Sequence, residues 1–227
     1  MTKPTLKESY FSAELFKFLK DLRRHNDREW FEANKSRFLT FVRDPLLRFI
    51  TDFGPHLKRI DPSFVADPSP VGGSLFRIYR DVRFSKDKQP YKTNVGAHFK
   101  HRTGTKEGSV PGFYLHLQPG ASFAASGIWH PDAASLAKVR TAIVDHPDDW
   151  KKIRGKIEVE GESLKRPPRG FDPDHEHIED LKRKDFIAVT PLSDQQVEGP
   201  QFMAEYAAIC REQLPLNQFL AAALGLA

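Results

Sequence analysis

Hydrophobic side chains in the first quarter of the chain recur at the spacing of amphipathic helices. The first stripe begins behind Ser12, a residue type favoured at helix N-caps. A second helix is predicted after Asn26, with Glu29 in the capping position, and a third after Pro45. The third pattern predicts a break or kink at Gly54-Pro55. The members of the first stripe are Leu15, Phe18, Leu19 and Leu22.

From about residue 74 the pattern has a period of two, which is typical of strands with one buried face. Four strands are predicted, separated by a polar turn at 85–91, a Gly-containing loop at 101–112 and a turn at Pro119-Gly120. Such short links favour antiparallel neighbours. The inward residues are Phe76, Ile78, Val82 and Phe84 in the first strand, Val95, Ala97 and Phe99 in the second, and Phe113, Leu115 and Leu117 in the third, and the fourth strand spans 123–128.

Helical patterns return in the second half of the chain. One follows Pro131, with Asp132 as its candidate cap, and two more follow a strand-like segment at 186–192. The predicted fold class is therefore α+β, with a mainly antiparallel sheet of about four to six strands packed with N-terminal and C-terminal helices. The length of residues 1–227 allows one large domain or two small ones, and residues 193–227 are predicted to form a helical tail.

Composition narrows the class of protein. Charged residues make up 29% of the chain and aromatic residues 11%, as in an ordinary globular protein with a core. The longest apolar stretch, 219–227, is far too short to span a membrane, and the N-terminus lacks the apolar segment of a secretory signal. The single cysteine, Cys210, excludes an intramolecular disulfide and favours a reducing compartment. We therefore expect a cytoplasmic protein with no membrane partner.

The excess positive charge of the chain is concentrated in one segment. The net charge of +5 is mild for the whole protein. Residues 77–102, however, hold eight basic residues against only Asp81 and Asp87, so the rest of the chain is close to neutral. An anionic partner would be attracted to this segment. The alternative is a solvated charged loop with local ion pairs, which is the usual role of a charge run.

If the strands pair in chain order, their polar side chains share one side of the sheet. Arg side chains bind phosphate or carboxylate in bidentate fashion, and Tyr and His add donors and an acid or base near neutral pH. This pattern predicts an anion-binding site on the sheet, with the lysines of the 85–92 turn at its rim. An ordinary cross-strand ion-pair network is the structural alternative. The residues on the predicted polar side are Arg77, Tyr79, Asp81, Arg83, His98, Tyr114 and His116, and the rim lysines are Lys86, Lys88 and Lys92.

The run RIYRDVRFSKDKQPYK at residues 77–92 resembles the signature of a bacterial family called domain of unknown function 2461 (DUF2461). Four further blocks match that family, NDREWF at 26–31, GFYLHLQ at 112–118, GIWHP at 127–131 and LKRPPRG at 164–170, so the resemblance covers roughly residues 11–192. It implies a single intracellular α+β domain and no established activity, cofactor or catalytic residue. It also implies that the basic run is the hallmark of the family, with Arg77, Tyr79, Arg80, Asp81, Arg83, Lys86, Asp87, Lys88, Tyr91 and Lys92 as the preferred positions.

Other motifs give little support for specific chemistry. No dinucleotide-binding or phosphate-loop glycine pattern and no Gly-x-Ser-x-Gly elbow occurs, and Cys210 lies on an apolar helical stripe. The Asp-His-Glu-His run at 174–177 and the pair His98 and His116, with Asp81 as a third ligand, are weak metal candidates, so no metal centre is predicted.

The first functional hypothesis is a protein that binds a phosphate- or carboxylate-bearing small molecule on the sheet. Whether this ligand reacts stays open, and Tyr79 and His116 are the candidate acid or base if it does. The second hypothesis is a nucleic-acid-binding protein that uses residues 77–102 and presents an open surface. The third is a module that recognises an acidic protein. The sequence leaves the cofactor and the oligomeric state open.

Overall fold

The computed structural model describes residues 9–103 and 110–226. Its central sheet is antiparallel, and its strands lie side by side in chain order. The α+β class, the antiparallel pairing and the strand number within the predicted range are confirmed. The loop predicted at 101–112 lies partly outside the described residues. The strands are β1 Val95–Lys100, β2 Gly112–Leu117, β3 Ser122–Ile128 and β4 Phe186–Leu192.

The N-terminal helices follow the predicted stripes, with two corrections. The N-cap of the second helix is Asp27, which accepts a hydrogen bond from the Trp30 amide at 2.8 Å, and not Asn26. The third helix does not break at Gly54-Pro55, because Phe53 and Leu57 are buried on either side of the proline and hold the helix together. The elements are α1 Ala13–Arg24, α2 Arg28–Ala33, α3 Lys35–Phe38, a π-helical segment Leu39–Arg43 and α4 Asp44–Ile60.

The C-terminal half contains further helices, and one of them differs from the prediction. The two helical patterns at the C-terminus form one helix that passes through Pro215, with Leu216 and Leu220 buried beyond it. Asp132 caps its helix as predicted, accepting from the amides of Ala134 and Ser135. Within the described residues, none of the helices is long and apolar enough to span a bilayer. The elements are α5 Ala133–Asp145, α6 Pro147–Arg154, α7 Ile178–Leu181, α8 Asp194–Glu198 and α9 Phe202–Leu224.

Helices α4 and α9 cover one face of the sheet. The ring of Phe99 on β1 lies 4.8 Å from that of Phe53 on α4 and 6.1 Å from that of Tyr206 on α9. Because side chains alternate across a strand, the residues between the buried ones point to the other face. That face stays partly exposed along all four strands, and its residues include His98, Tyr114, His116, Phe123, Ala125, Ile187 and Val189.

The first predicted strand, over residues 76–84, is wrong. Its alternation fits a strand, but only Ile78 of its predicted inward residues is buried, whereas Phe76 is 44% exposed and Phe84 95% exposed. The segment pairs with the edge of β1 around Leu75 and then leaves it. Charged side chains flank each hydrophobic residue here, so the segment gains more from solvation and local ion pairs than from a continued ladder.

The sheet requires a glycine at position 127, and this requirement can be tested. Its φ is +111°, and a Cβ added there would overlap the carbonyl oxygen of Phe186 on β4. We therefore expect Gly127→Ala to lower the free energy of unfolding by about 3 kcal/mol or more, measured by urea denaturation. The control is Gly120→Ala, which has a positive φ but open space around the added atom and is expected to cost about 1 kcal/mol. Equal destabilisation of the two variants would contradict this account.

Candidate functional site

Residues 79–91, which we call the basic loop, leave the body of the protein through a narrow neck. The Arg80 amide donates to the Pro90 carbonyl at 2.9 Å, and the Lys92 amide donates to the Ile78 carbonyl at 2.8 Å. The side chain of Asn26 bonds both backbone groups of Tyr91, accepting from its amide and donating to its carbonyl, each at 3.0 Å. The asparagine that the sequence assigned to a helix cap therefore anchors the base of the loop.

The two tyrosines of the neck face helix α2 and not the sheet. Tyr91 is buried and stacks on Phe31 with 4.1 Å between ring centroids. Tyr79 lies 6.2 Å from Phe31 and 5.4 Å from Tyr91, and it is 46% exposed. Tyr91 thus positions the loop. Tyr79 is kept on the α2 side, so the structure does not bring it together with His116.

Inside the basic loop, each carboxylate is paired with an arginine. Arg80 bonds Asp87 at 2.6 Å, and Arg83 bonds Asp81 in bidentate fashion at 3.0 and 2.7 Å. The hydrogen bonds from the arginines lower the pKa of both carboxyl groups. Such exposed pairs contribute little to stability, but they give the loop a defined shape. The ion-pair alternative considered from the sequence therefore describes these four residues.

The two lysines of the loop, Lys86 and Lys88, are exposed together with an aromatic ring. Lys88 donates to the Val82 carbonyl at 3.1 Å, and Lys86 is exposed. Phe84 is 95% exposed, with the Arg83 guanidinium 5.8 Å from its ring centroid. Phe84 thus presents its ring to solvent between cations, and a single exposed apolar side chain of this kind is common on protein surfaces.

A row of aromatic rings, which we call the aromatic track, crosses the partly exposed face of the sheet. It runs from Phe76 to Tyr114, His116 and Phe123, with successive ring centroids 5.8, 5.9 and 4.5 Å apart. His98 lies beside the track, 6.2 Å from Phe76. Three of the predicted site residues, His98, Tyr114 and His116, are thus brought together as expected.

Burial keeps the track uncharged, and hydrogen bonds fix the orientation of its polar rings. The Tyr114 hydroxyl and His116 Nδ1 are 3.0 Å apart, and His116 Nε2 and Gln118 Oε1 are 3.2 Å apart. The glutamine oxygen only accepts, so Nε2 carries the hydrogen and Nδ1 accepts from the tyrosine. Burial raises the pKa of Tyr114 to about 12 and lowers the pKa of His116. At neutral pH both rings are neutral, which suits stacking better than proton transfer.

Two cations lie at the Phe76 end of the track without a carboxylate between them. The Lys92 ammonium is 5.3 Å from the Phe76 ring centroid. Burial and, next, the charge of Arg77 lower the pKa of this lysine. In the part of the chain that the structure describes, neither Arg77 nor Lys92 forms an ion pair with a carboxylate. Arg77 also attracts the Asp81 carboxylate, which is bonded to Arg83, so the positive charge is only partly balanced and an anion is stabilised here.

The structure also separates some of the predicted residues and adds others. Arg77, Asp81 and Arg83 do not share a strand face, because that strand is not formed. Phe76 and Phe123, which belong to the track, were not among the predicted site residues. The signal that could have revealed the track is a strand glycine diagonal to an aromatic residue of the next strand, since Gly96 pairs with His116 and a Cβ on Gly96 would overlap the Tyr114 hydroxyl.

The described residues show neither a metal site nor a reactive thiol. Over residues 9–103 and 110–226, no group of three or more His, Cys, Asp or Glu side chains could hold a metal ion. Asp81, the third ligand considered for His98 and His116, is bonded to Arg83. Burial raises the pKa of the Cys210 thiol well above its ordinary value, so this buried cysteine is a poor nucleophile.

Comparison with known proteins identifies a family that matches most of the chain. A family model described as "Conserved hypothetical protein (DUF2461)" matches residues 14–219. The match extends beyond residue 192, where the resemblance seen in the sequence ends, and takes in most of α9. No curated protein and no solved structure matches the chain.

If Asn26 holds the base of the basic loop, its removal should make the loop easier to cleave. Asn26→Ala removes both hydrogen bonds to Tyr91, so we expect trypsin to cleave the loop about tenfold faster, as followed by mass spectrometry. Asp27→Ala is the matched control, because it removes the cap of α2 without touching the loop. A similar acceleration in both variants, or in neither, would show that Asn26 is not the anchor.

His98 predicts a decrease of stability in acid. Burial, and next the charge of Lys100, lower its pKa to about 4 in the folded protein, whereas an exposed histidine titrates near 6.5. As the pH falls, the imidazole therefore takes up a proton in the unfolded chain before it does so in the folded protein. The free energy of unfolding is highest above pH about 6.5 and decreases by up to about 3 kcal/mol as the pH falls towards 4. His98→Phe should weaken this dependence in urea unfolding. An imidazole pKa near 6.5 for His98 by NMR would contradict the prediction.

Proposed function

The chain belongs to the conserved hypothetical family DUF2461, and we propose that it binds single-stranded nucleic acid across the partly exposed face of its sheet. The observation that carries this proposal is the aromatic track, a row of neutral rings with cations at one end. Proteins that bind single strands combine such stacking surfaces with a basic path for the phosphates. The cytoplasm is the proposed location, in keeping with the single buried cysteine.

The track has the dimensions and chemistry of a stacking surface. Phe76 is 44% exposed at one end, and Phe123 at the other end stacks on His116 at an interplanar angle of 12°. His116 and Phe123 face each other at 4.5 Å and form one stacking position, so bases of one strand would stack on Phe76, on Tyr114 and on the outer side of this pair. Because His116 is neutral at neutral pH, the track stacks any base without adding charge.

The charges favour a polyanion that lies along the surface. Lys92 and Arg77 supply unpaired positive charge beside Phe76, and the basic loop adds Lys86 and Lys88. The exposed Phe84 gives the loop its own ring for a base. Positive charges spread over an open surface match the regular spacing of phosphates along a strand.

A small anionic ligand, the first hypothesis from the sequence, is less well supported by this geometry. Such ligands bind in concave pockets that bury most of their surface. A cleft of about 430 Å³ beside α1 and α8 is lined by none of the predicted site residues, and a smaller cleft of about 200 Å³ at the edge of β1 is lined by only one of them, His98. The face that carries the track is an open surface instead, which the nucleic-acid hypothesis requires.

The test is fluorescence anisotropy with labelled oligo-dT and oligo-U strands and a matching duplex over a salt series. We expect single strands to bind more tightly than the duplex. Phe76→Ala and Phe84→Ala should each weaken binding about 5- to 100-fold with little change in salt dependence, because they remove stacking. Lys92→Gln and Arg77→Gln should weaken binding and reduce the salt slope by about 0.7 for each phosphate that is no longer neutralised.

Lys138→Gln is the matched control, since Lys138 is exposed on α5 away from the basic segment. Equal weakening in this variant would mean that binding depends on net charge alone. Absence of binding to every oligonucleotide, together with saturable binding of inorganic phosphate or of an acidic peptide, would replace the proposal by one of the other two hypotheses.

A further inference from the structure

A cleft of about 200 Å³ adjoins the aromatic track at the outer edge of β1. Resting on the proposed function, we infer that this cleft binds the terminal phosphate of the single strand whose bases stack on the track. The residues that the argument uses are Asp67, Ser74, His98, Lys100 and Arg102, all of which line the cleft.

The cleft exists because the chain beside β1 leaves the strand edge and returns to it. On one side the Arg102 amide donates to the Ser63 carbonyl at 2.7 Å and the Val65 amide donates to the Lys100 carbonyl at 3.0 Å. On the other side the His98 amide donates to the Ser74 carbonyl at 2.8 Å. Between these hydrogen bonds, residues 67–73 turn away from the edge and leave a gap.

The wall formed by residues 67–74 is held by its own hydrogen bonds. The Ser74 amide donates to the Asp67 carbonyl at 2.8 Å, and the Asp67 amide donates to the Ser74 hydroxyl at 3.0 Å. The Lys100 carbonyl faces this edge, and in an antiparallel ladder the amide of the same residue faces the same way. The Lys100 amide is therefore a backbone donor on the cleft side of β1.

The charge of the cleft is positive. Lys100 and Arg102 are two residues apart and both exposed, and among the described residues no carboxylate forms an ion pair with either. Asp67 also lines the cleft and opposes an anion, but its carboxylate accepts the Ser69 amide at 2.9 Å. Two cations against one engaged carboxylate leave a net attraction for a compact anion.

A terminal phosphate fits this cleft better than an internal one. A terminal monoester carries nearly two negative charges and three free oxygens, whereas an internal diester carries one charge. The 67–74 wall closes one side, which suits the end of a strand more than a strand that passes through. His98 lines the cleft and lies 6.2 Å from Phe76, so a phosphate here is within reach of a base on the track.

The experiment compares three oligo-dT strands of equal length that end in a 5′-phosphate, a 3′-phosphate or hydroxyls only. We expect one of the two phosphorylated strands to bind about tenfold more tightly than the hydroxyl strand, and the favoured end gives the direction of the strand. Lys100→Gln and Arg102→Gln should each weaken the phosphorylated strand about tenfold more than they weaken the hydroxyl strand, so that the preference is lost. Lys138→Gln should keep the preference.

The outcomes separate this inference from the proposed function. Equal affinity for all three strands would overturn the terminal-phosphate site and leave single-strand binding intact. No binding of any strand would overturn both. If a variant does not fold, as judged by circular dichroism, the comparison of the three strands on the native protein still decides the question.

Discussion

The helices α4 and α9 pack on the same face of the sheet, and this one-sided burial fixes what the other face can do. Phe99 and its neighbours on β1 and β2 are fully buried against Phe53 and Tyr206. Strand alternation then forces His98, Tyr114 and His116 to the opposite face, whatever their chemistry. The aromatic track is therefore a consequence of how the core is filled.

The side chains on that opposite face are partly buried and still partly accessible to solvent. Gly96 and Gly112 provide room for the side chains of Tyr114 and His98, so these rings lie flat on the sheet and are partly desolvated. Partial burial keeps both histidines of the face neutral, as the lowered pKa of each shows. A neutral aromatic surface with positive charge at its Phe76 end attracts the phosphates of a polyanion to that end and bases to the rings.

The hydrophobic pattern predicted the elements that follow a single helical or strand periodicity. It was wrong where ion pairs or the burial of neighbouring residues oppose what the local pattern favours. The strands β1 to β4 and the stripe of α1 follow alternation and helical spacing directly. Residues 76–84 also alternate, yet Arg80 and Arg83 find carboxylates within the basic loop, and these ion pairs favour a loop. Pro55 and Pro215 are helix breakers by local rules, but burial on both sides of each proline outweighs one missing hydrogen bond.

The candidate site was predictable in its charge and not in its shape. The basic residues and the trio His98, Tyr114 and His116 follow from strand alternation, whereas Phe76 and Phe84 were expected inside the core. The most direct measurement of the central claim is an NMR titration of the labelled protein with a short oligo-dT strand. We predict that the largest shifts fall on residues of the aromatic track and the basic loop. Shifts confined to the helical face, or to residues away from both, would contradict the account.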